Sequence, residues 1–200
     1  MIPPIPADAP PLDLARRPIF LVGMMGSGKS TVGRRLAVAL GRAFIDADKE
    51  LESRCGVPIT TIFELEGEPG FRRREAALLA DLTREPGLVL ATGGGAVLME
   101  ENREVLHARG FVVYLKAGVQ DLWLRLRHDR TRPLLRTPDP RRRIAELVDA
   151  RDPLYQSCAH LTISTGRQPV DRVVADILAA LPPELVGVRD PAAPSSMPLE

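Results

Sequence analysis

Short runs of consecutive apolar residues alternate along the chain with longer stretches in which apolar positions recur every three or four residues. Ile19-Phe20-Leu21-Val22 is the first such run, and similar ones cover residues 43–45, 88–91, 111–115 and 161–163. Each has the length of a strand buried on both faces, as in a parallel sheet. Helical periodicity covers residues 30–40, 49–55, 75–84, 101–108, 119–127, 141–157 and 170–180. Strand and helix in alternation predict an α/β fold, a parallel sheet covered by helices on both faces, in one domain over about residues 18–180. Proline and small residues crowd both ends, so residues 1–17 and 181–200 are expected to be poorly ordered tails.

Composition narrows the function. The 27 basic residues nearly cancel the 26 acidic ones, leaving a net charge of +1 and little field for nucleic acid or a membrane surface. The longest uncharged apolar stretch, residues 86–99, is too short to span a bilayer and is broken by three glycines. Cys55 and Cys158 are the only cysteines, which supports neither a disulfide framework nor a zinc site. A reducing, cytoplasmic setting is the expectation.

The strongest chemical signal is Gly23-Met24-Met25-Gly26-Ser27-Gly28-Lys29-Ser30-Thr31, which matches the phosphate-loop pattern between a predicted strand and a predicted helix. Glycines allow consecutive N–H groups to converge on a phosphate at the positive end of the helix. Lys29 would bridge the terminal phosphates and Ser30 would offer a hydroxyl to Mg²⁺. Lys29 is one of only three lysines, so lysine abundance does not explain it. The strand at 88–91 ends in Thr92-Gly93-Gly94-Gly95 with no acid, so a metal-side carboxylate must come from Asp46-Ala47-Asp48. Those two carboxylates can diverge, one toward a metal and one toward an acceptor hydroxyl; the alternative for Asp48 is a plain cap on the helix that follows.

Three further segments suggest an acceptor site. In Gly67-Glu68-Pro69-Gly70-Phe71-Arg72-Arg73-Arg74-Glu75 a turn delivers arginines to a helix start, where they oppose the dipole. That reads either as a solvated face or as a carboxylate-binding site. The Thr92–Gly95 run can bring bare backbone against a ligand. Arg125, Arg127, Arg130, Arg132 and Arg136 surround Pro133 and Pro138 in a stretch without apolar period, either a loop that closes on a nucleotide or a solvated one. Arg151 precedes Pro153 inside a predicted helix, which the proline is expected to kink.

Taken in order, Val22 to Thr31, Asp46-x-Asp48, Gly70-Phe71-Arg72, Ala91 to Gly95, Arg132-Pro133-Leu134-Leu135 and Arg151-x-Pro153-Leu154-Tyr155 resemble shikimate kinases across the whole predicted domain. The resemblance implies a three-layer αβα fold of the nucleoside monophosphate kinase type, a P-loop NTPase with a five-stranded parallel sheet and a lid. It implies ATP-dependent phosphorylation of the 3-hydroxyl of shikimate, a step of aromatic amino acid biosynthesis, by a monomer with no nucleic-acid or membrane partner. By the same resemblance Gly26, Ser27, Gly28, Lys29, Ser30 and Thr31 hold ATP, Ser30 and Asp46 hold Mg²⁺, and Gln168 falls beside adenine. Asp48, Arg72, Arg151, Gly94, Phe63 and Phe71 meet shikimate, and Lys29, Asp48 and Arg132 serve the transfer itself. A gluconate kinase-like enzyme of the same fold and a non-catalytic nucleotide-binding regulatory module are the alternatives.

Overall fold

The computed structural model describes residues 16–127 and 137–186. Five parallel strands, β1 (Ile19–Val22), β2 (Phe44–Asp46), β3 (Val89–Ala91), β4 (Phe111–Lys116) and β5 (Leu161–Ser164), lie in the order β2-β3-β1-β4-β5. Among the described residues the helices are α1 (Lys29–Leu40), α2 (Ala47–Cys55), α3 (Ile59–Leu82), α4 (Glu100–Arg109), α5 (Val119–Leu126), α6 (Pro140–Cys158), α7 (Val170–Ala180) and α8 (Pro183–Val186). A 3₁₀ turn, Ala96–Leu98, links β3 to α4. The predicted three-layer architecture is the one observed.

Alternate residues of β1 face opposite layers, which is why its run is apolar throughout. Phe20 and Val22 pack with Leu79 of α3, Leu106 of α4, Leu122 of α5 and Ile144 and Tyr155 of α6. Ile19 and Leu21 pack with Leu36 of α1, Ile177 of α7 and Leu185 of α8. Because Leu181 and Leu185 are buried, the fold continues to Val186, beyond the expected end at Ala180. Arg42 joins the two ends: its guanidinium donates to the carbonyl oxygens of Arg17 at 2.9 Å and Leu185 at 2.8 Å. Residues 1–15 and 187–200 lie outside the described residues.

The helices differ from expectation mainly at α3. Its first half, up to the non-helical Gly67 (φ 66°, ψ −176°), carries no helical period in the sequence. Pro69 then starts the second half, which places the arginine run in its first turns as expected, with Arg72 turned inward and Arg73 and Arg74 exposed. α6 runs through Pro153 as a single element, since the missing N–H costs one helical bond without ending the helix.

Register fixes what reaches the ligand edge. Asp46 is level with Ala91, and Leu21 is level with the same residue from the other side. The segments leaving β1, β2 and β3 therefore emerge side by side at the carboxyl ends of central strands, where open α/β sheets bind ligands.

Candidate active site

The segment leaving β1 folds back through Gly23, Gly26 and Gly28, whose φ angles are 144°, 77° and 99°. At Gly23 a side chain would also meet the Leu115 carbonyl oxygen of β4 at 2.6 Å. α1 starts at Lys29 directly after this loop, so its first unpaired N–H groups stand there. Lys29 Nζ donates to the carbonyl oxygens of Gly23 at 2.7 Å and Met24 at 3.0 Å, holding the ammonium over the loop. A cavity of about 200 Å³ opens against it, lined by Gly26, Gly28, Lys29, Ser30 and Thr31 and on the far side by Asp46, Asp48 and Thr92. Ser27 points the other way: its side chain is buried and its Oγ has no hydrogen-bond partner among the described residues, so only its main chain is available to a phosphate.

Asp46 does two things. Its Oδ2 accepts from Ser30 Oγ at 2.5 Å, and its Oδ1 accepts from the Lys49 N–H at 3.4 Å as the cap of α2. The alternative of Asp48 as that cap is thereby corrected. Asp48 sits inside the first turn of α2, exposed to the cavities.

A second cavity, about 130 Å³, adjoins the first and shares Met25, Asp48 and Gly94 with it. Arg72 of α3 and Arg151 of α6 both line it. Arg72 Nη1 donates to Glu75 Oε2 at 2.6 Å, and Arg151 Nη1 donates to the Gly94 carbonyl oxygen at 3.2 Å. Phe63 and Phe71 stack with centroids 4.6 Å apart, Phe71 buried and Phe63 at the rim, and the Arg72 guanidinium lies 5.1 Å over Phe71. The triglycine is required by crowding rather than by φ. A methyl at Gly93 would come within 2.6 Å of Glu75 Oε1 and 2.8 Å of Asp48 Oδ1, and one at Gly95 within 2.5 Å of Arg72.

Electrostatics separate the groups. Burial pushes the Glu75 carboxyl above its ordinary range and the Asp48 charge adds to that, while Arg72 and Arg151 pull it back only in part. Burial alone would lower Arg72, but its charge and hydrogen bonds with Glu75 and Glu68 raise it, so it stays a cation. Tyr155 is pushed up to about 12, chiefly by burial, and its hydroxyl donates to the Gly94 carbonyl oxygen at 2.5 Å.

The fold thus brings together Gly26, Gly28, Lys29, Ser30, Thr31 and Asp46 in one cavity and Phe63, Phe71, Arg72 and Arg151 in the next, with Asp48 and Gly94 between. It does not bring Gln168 to either; that residue is exposed on the β5–α7 connection. Arg132 and its neighbours in residues 128–136 lie outside the described residues. Arg125 is bound to main chain, donating to the carbonyl oxygens of Gly26 at 2.9 Å, of Gly166 at 2.5 Å and of Thr165, and so ties the phosphate loop to the β5–α7 connection. Residues missed from sequence are Glu75, Met25 and Tyr155. Glu75 had one usable signal, its spacing of three from Arg72 on a helix.

A phosphate loop at the end of the central strand, beside a smaller cavity carrying two guanidinium groups and a carboxylate, defines a small-molecule kinase of the P-loop class. Comparison with known proteins makes that particular. The family model described as shikimate kinase matches residues 25–182. A shikimate kinase of Bordetella pertussis is 56% identical over 176 residues, covering 88% of this chain and 82% of the relative. One of Burkholderia thailandensis is 54% identical over 170 residues, covering 85% and 91%. The solved structure of a shikimate kinase from Acinetobacter baumannii in complex with shikimate superposes with a TM-score of 0.79 at 48% identity, covering 82% of this chain and 91% of that one. The chain belongs to the shikimate kinase family.

Proposed function

We propose that this enzyme moves the γ-phosphoryl group of ATP to the 3-hydroxyl of shikimate, giving ADP and shikimate 3-phosphate. The observation that carries the reading is the pair of adjoining cavities, one against the phosphate loop and one against Arg72 and Arg151, that share Met25, Asp48 and Gly94. Two substrates held there meet at Asp48, which both cavities expose.

In this reading the loop amides and Lys29 hold the phosphate tail, while Arg72 and Arg151 clamp the acceptor carboxylate and Phe63 and Phe71 flank its ring. Gly94 offers bare backbone. Asp48 orients the attacking hydroxyl and accepts its proton. Phosphoryl transfer asks mainly for alignment and for positive charge around the equatorial oxygens, which Lys29 supplies and which the family resemblance assigns also to Arg132. Lys29 leaves its two carbonyl acceptors to do this, an exchange of neutral acceptors for charged ones.

The residues present also fit Mg²⁺. Ser30 Oγ and Asp46 Oδ2 are hard oxygen donors 2.5 Å apart on one wall of the nucleotide cavity. Among the described residues no cluster of three or more His, Cys, Asp or Glu side chains could hold a metal by itself, and the ion would rest on Ser30, Asp46 through water, and phosphate oxygens, a common arrangement for Mg²⁺. Bound there, it offsets phosphate charge.

The reading takes the enzyme to be a cytoplasmic monomer acting on small molecules rather than on nucleic acid or membranes. Near-zero net charge supports this, and no described helix is long and apolar enough to cross a membrane. Coupled ADP release with shikimate, with gluconate and with no acceptor tests the function: only shikimate should sustain turnover, and equal rates in all three would refute it.

A further inference from the structure

We propose that Asp152 is the positioning residue for Arg151, fastening α6 to the end of β4 so that the guanidinium meets the acceptor cavity. This rests on the reading of Arg151 as an acceptor clamp. The Asp152 carboxylate accepts from Tyr114 Oη at 2.7 Å and Lys116 Nζ at 2.9 Å, both at the carboxyl end of β4, and from Gln156 Nε2 at 2.5 Å on its own helix. Adjacent helical residues point roughly 100° apart. Asp152 thereby reaches the sheet while Arg151 turns to Gly94.

Asp152 stands where α6 lacks a backbone hydrogen bond. Pro153 follows immediately and deprives this turn of one backbone hydrogen bond. The turn is instead held by side chains: Tyr155 stacks on Tyr114 at 4.9 Å and donates to the same Gly94 carbonyl oxygen that Arg151 uses. Asp152 and Tyr155 grip one tyrosine of β4 from neighbouring helix positions, and Arg151 lies beside them. The carboxylate is only partly covered, at 21% side-chain exposure against 43% for Lys116. Such a pair adds little to global stability, so its consequence is geometric.

Asp152→Ala should raise the KM for shikimate about tenfold, an effect typical of removing an outer support from a ligand-binding side chain. KM for ATP and kcat should stay within about twofold, and the thermal midpoint within about 3 °C. Asp152→Asn keeps an oxygen acceptor for Tyr114 and should recover part of the loss. In an Arg151→Ala background, Asp152→Ala should add nothing, because a residue acting through another is non-additive with it. An unchanged KM for shikimate, an equal rise for both substrates, or an undiminished further loss on Arg151→Ala would each overturn the proposal. Wild-type turnover with shikimate tests the underlying reading separately, since only the ratio of variant to wild type bears on Asp152.

Discussion

Arg72 and Glu75 stand one turn apart on α3 and meet at 2.6 Å, with side-chain exposures of 13% and 4%, on the wall of the acceptor cavity. The cation proposed to take the acceptor carboxylate is thus already held by a carboxylate of the protein. Truncating Glu75 to alanine leaves a covered guanidinium with the exposed Glu68 as its remaining acidic partner among the described residues. Unfolding free energy should fall by about 3 kcal/mol, measured by urea denaturation. The KM for shikimate should rise while that for ATP holds.

The same carboxyl has an inverted pH dependence. Its folded pKa lies above the ordinary 4.5, mainly through burial, so the folded state holds the proton more tightly than the unfolded chain. Its contribution is most favourable below the unfolded pKa and is lost as pH rises through the folded one. Against Glu75→Gln, which does not titrate, the wild-type melting temperature should decline as pH climbs above 4.5. A relative gain over that interval would contradict the assignment.

Two glycines should fail for different reasons. A methyl at Gly95 meets the end of the Arg72 side chain at 2.5 Å, which can swing aside. Gly95→Ala should therefore lose roughly tenfold or more in shikimate affinity, read by calorimetric titration, and its melting temperature should fall because the displaced guanidinium leaves Glu75. At Gly23 the obstacle is the Leu115 carbonyl oxygen at 2.6 Å and φ is 144°, so neither side can yield. Gly23→Ala should cost about 1–3 kcal/mol in folding and impair use of both substrates.

Lys29→Ala removes the ammonium that now sits on two loop carbonyls without opening the core. A drop in kcat of about 100-fold or more is expected, with circular dichroism unchanged. Near-normal turnover would place the phosphate grip elsewhere.

Asp46→Ala should show two separable losses. Removing the α2 cap costs about 1 kcal/mol, seen in the melt. Removing the partner of Ser30 should raise the Mg²⁺ concentration for half-maximal rate, seen in a magnesium titration. Asp48→Ala should instead lower kcat by about 100-fold or more, with the Mg²⁺ concentration for half-maximal residual rate unchanged.

Much of this was legible along the chain. Ile19 to Val22 is apolar at every position because both faces are covered, and the glycine spacing from Gly23 to Gly28 is what a phosphate loop needs. The first half of α3 was not, because Ile59, Thr60, Thr61 and Ile62 are β-branched and suit a strand as well as a helix. Asp46 and Asp48 were legible as a pair, but their roles were not: which one caps α2 depends on where β2 ends, and that is set by pairing with Ala91.

Local chemistry written into the chain determined the phosphate loop, the alternation of strand and helix, and the residue types of an acceptor clamp, since each depends on neighbours a few positions apart. Only tertiary structure decided that Glu75 would aim Arg72, that Tyr155 and Asp152 would anchor the turn bearing Arg151, and that Gln168 would lie outside both cavities. The last two join residues tens of positions apart, and the first, though its spacing of three is local, depends on burial from several elements at once, which no local pattern encodes.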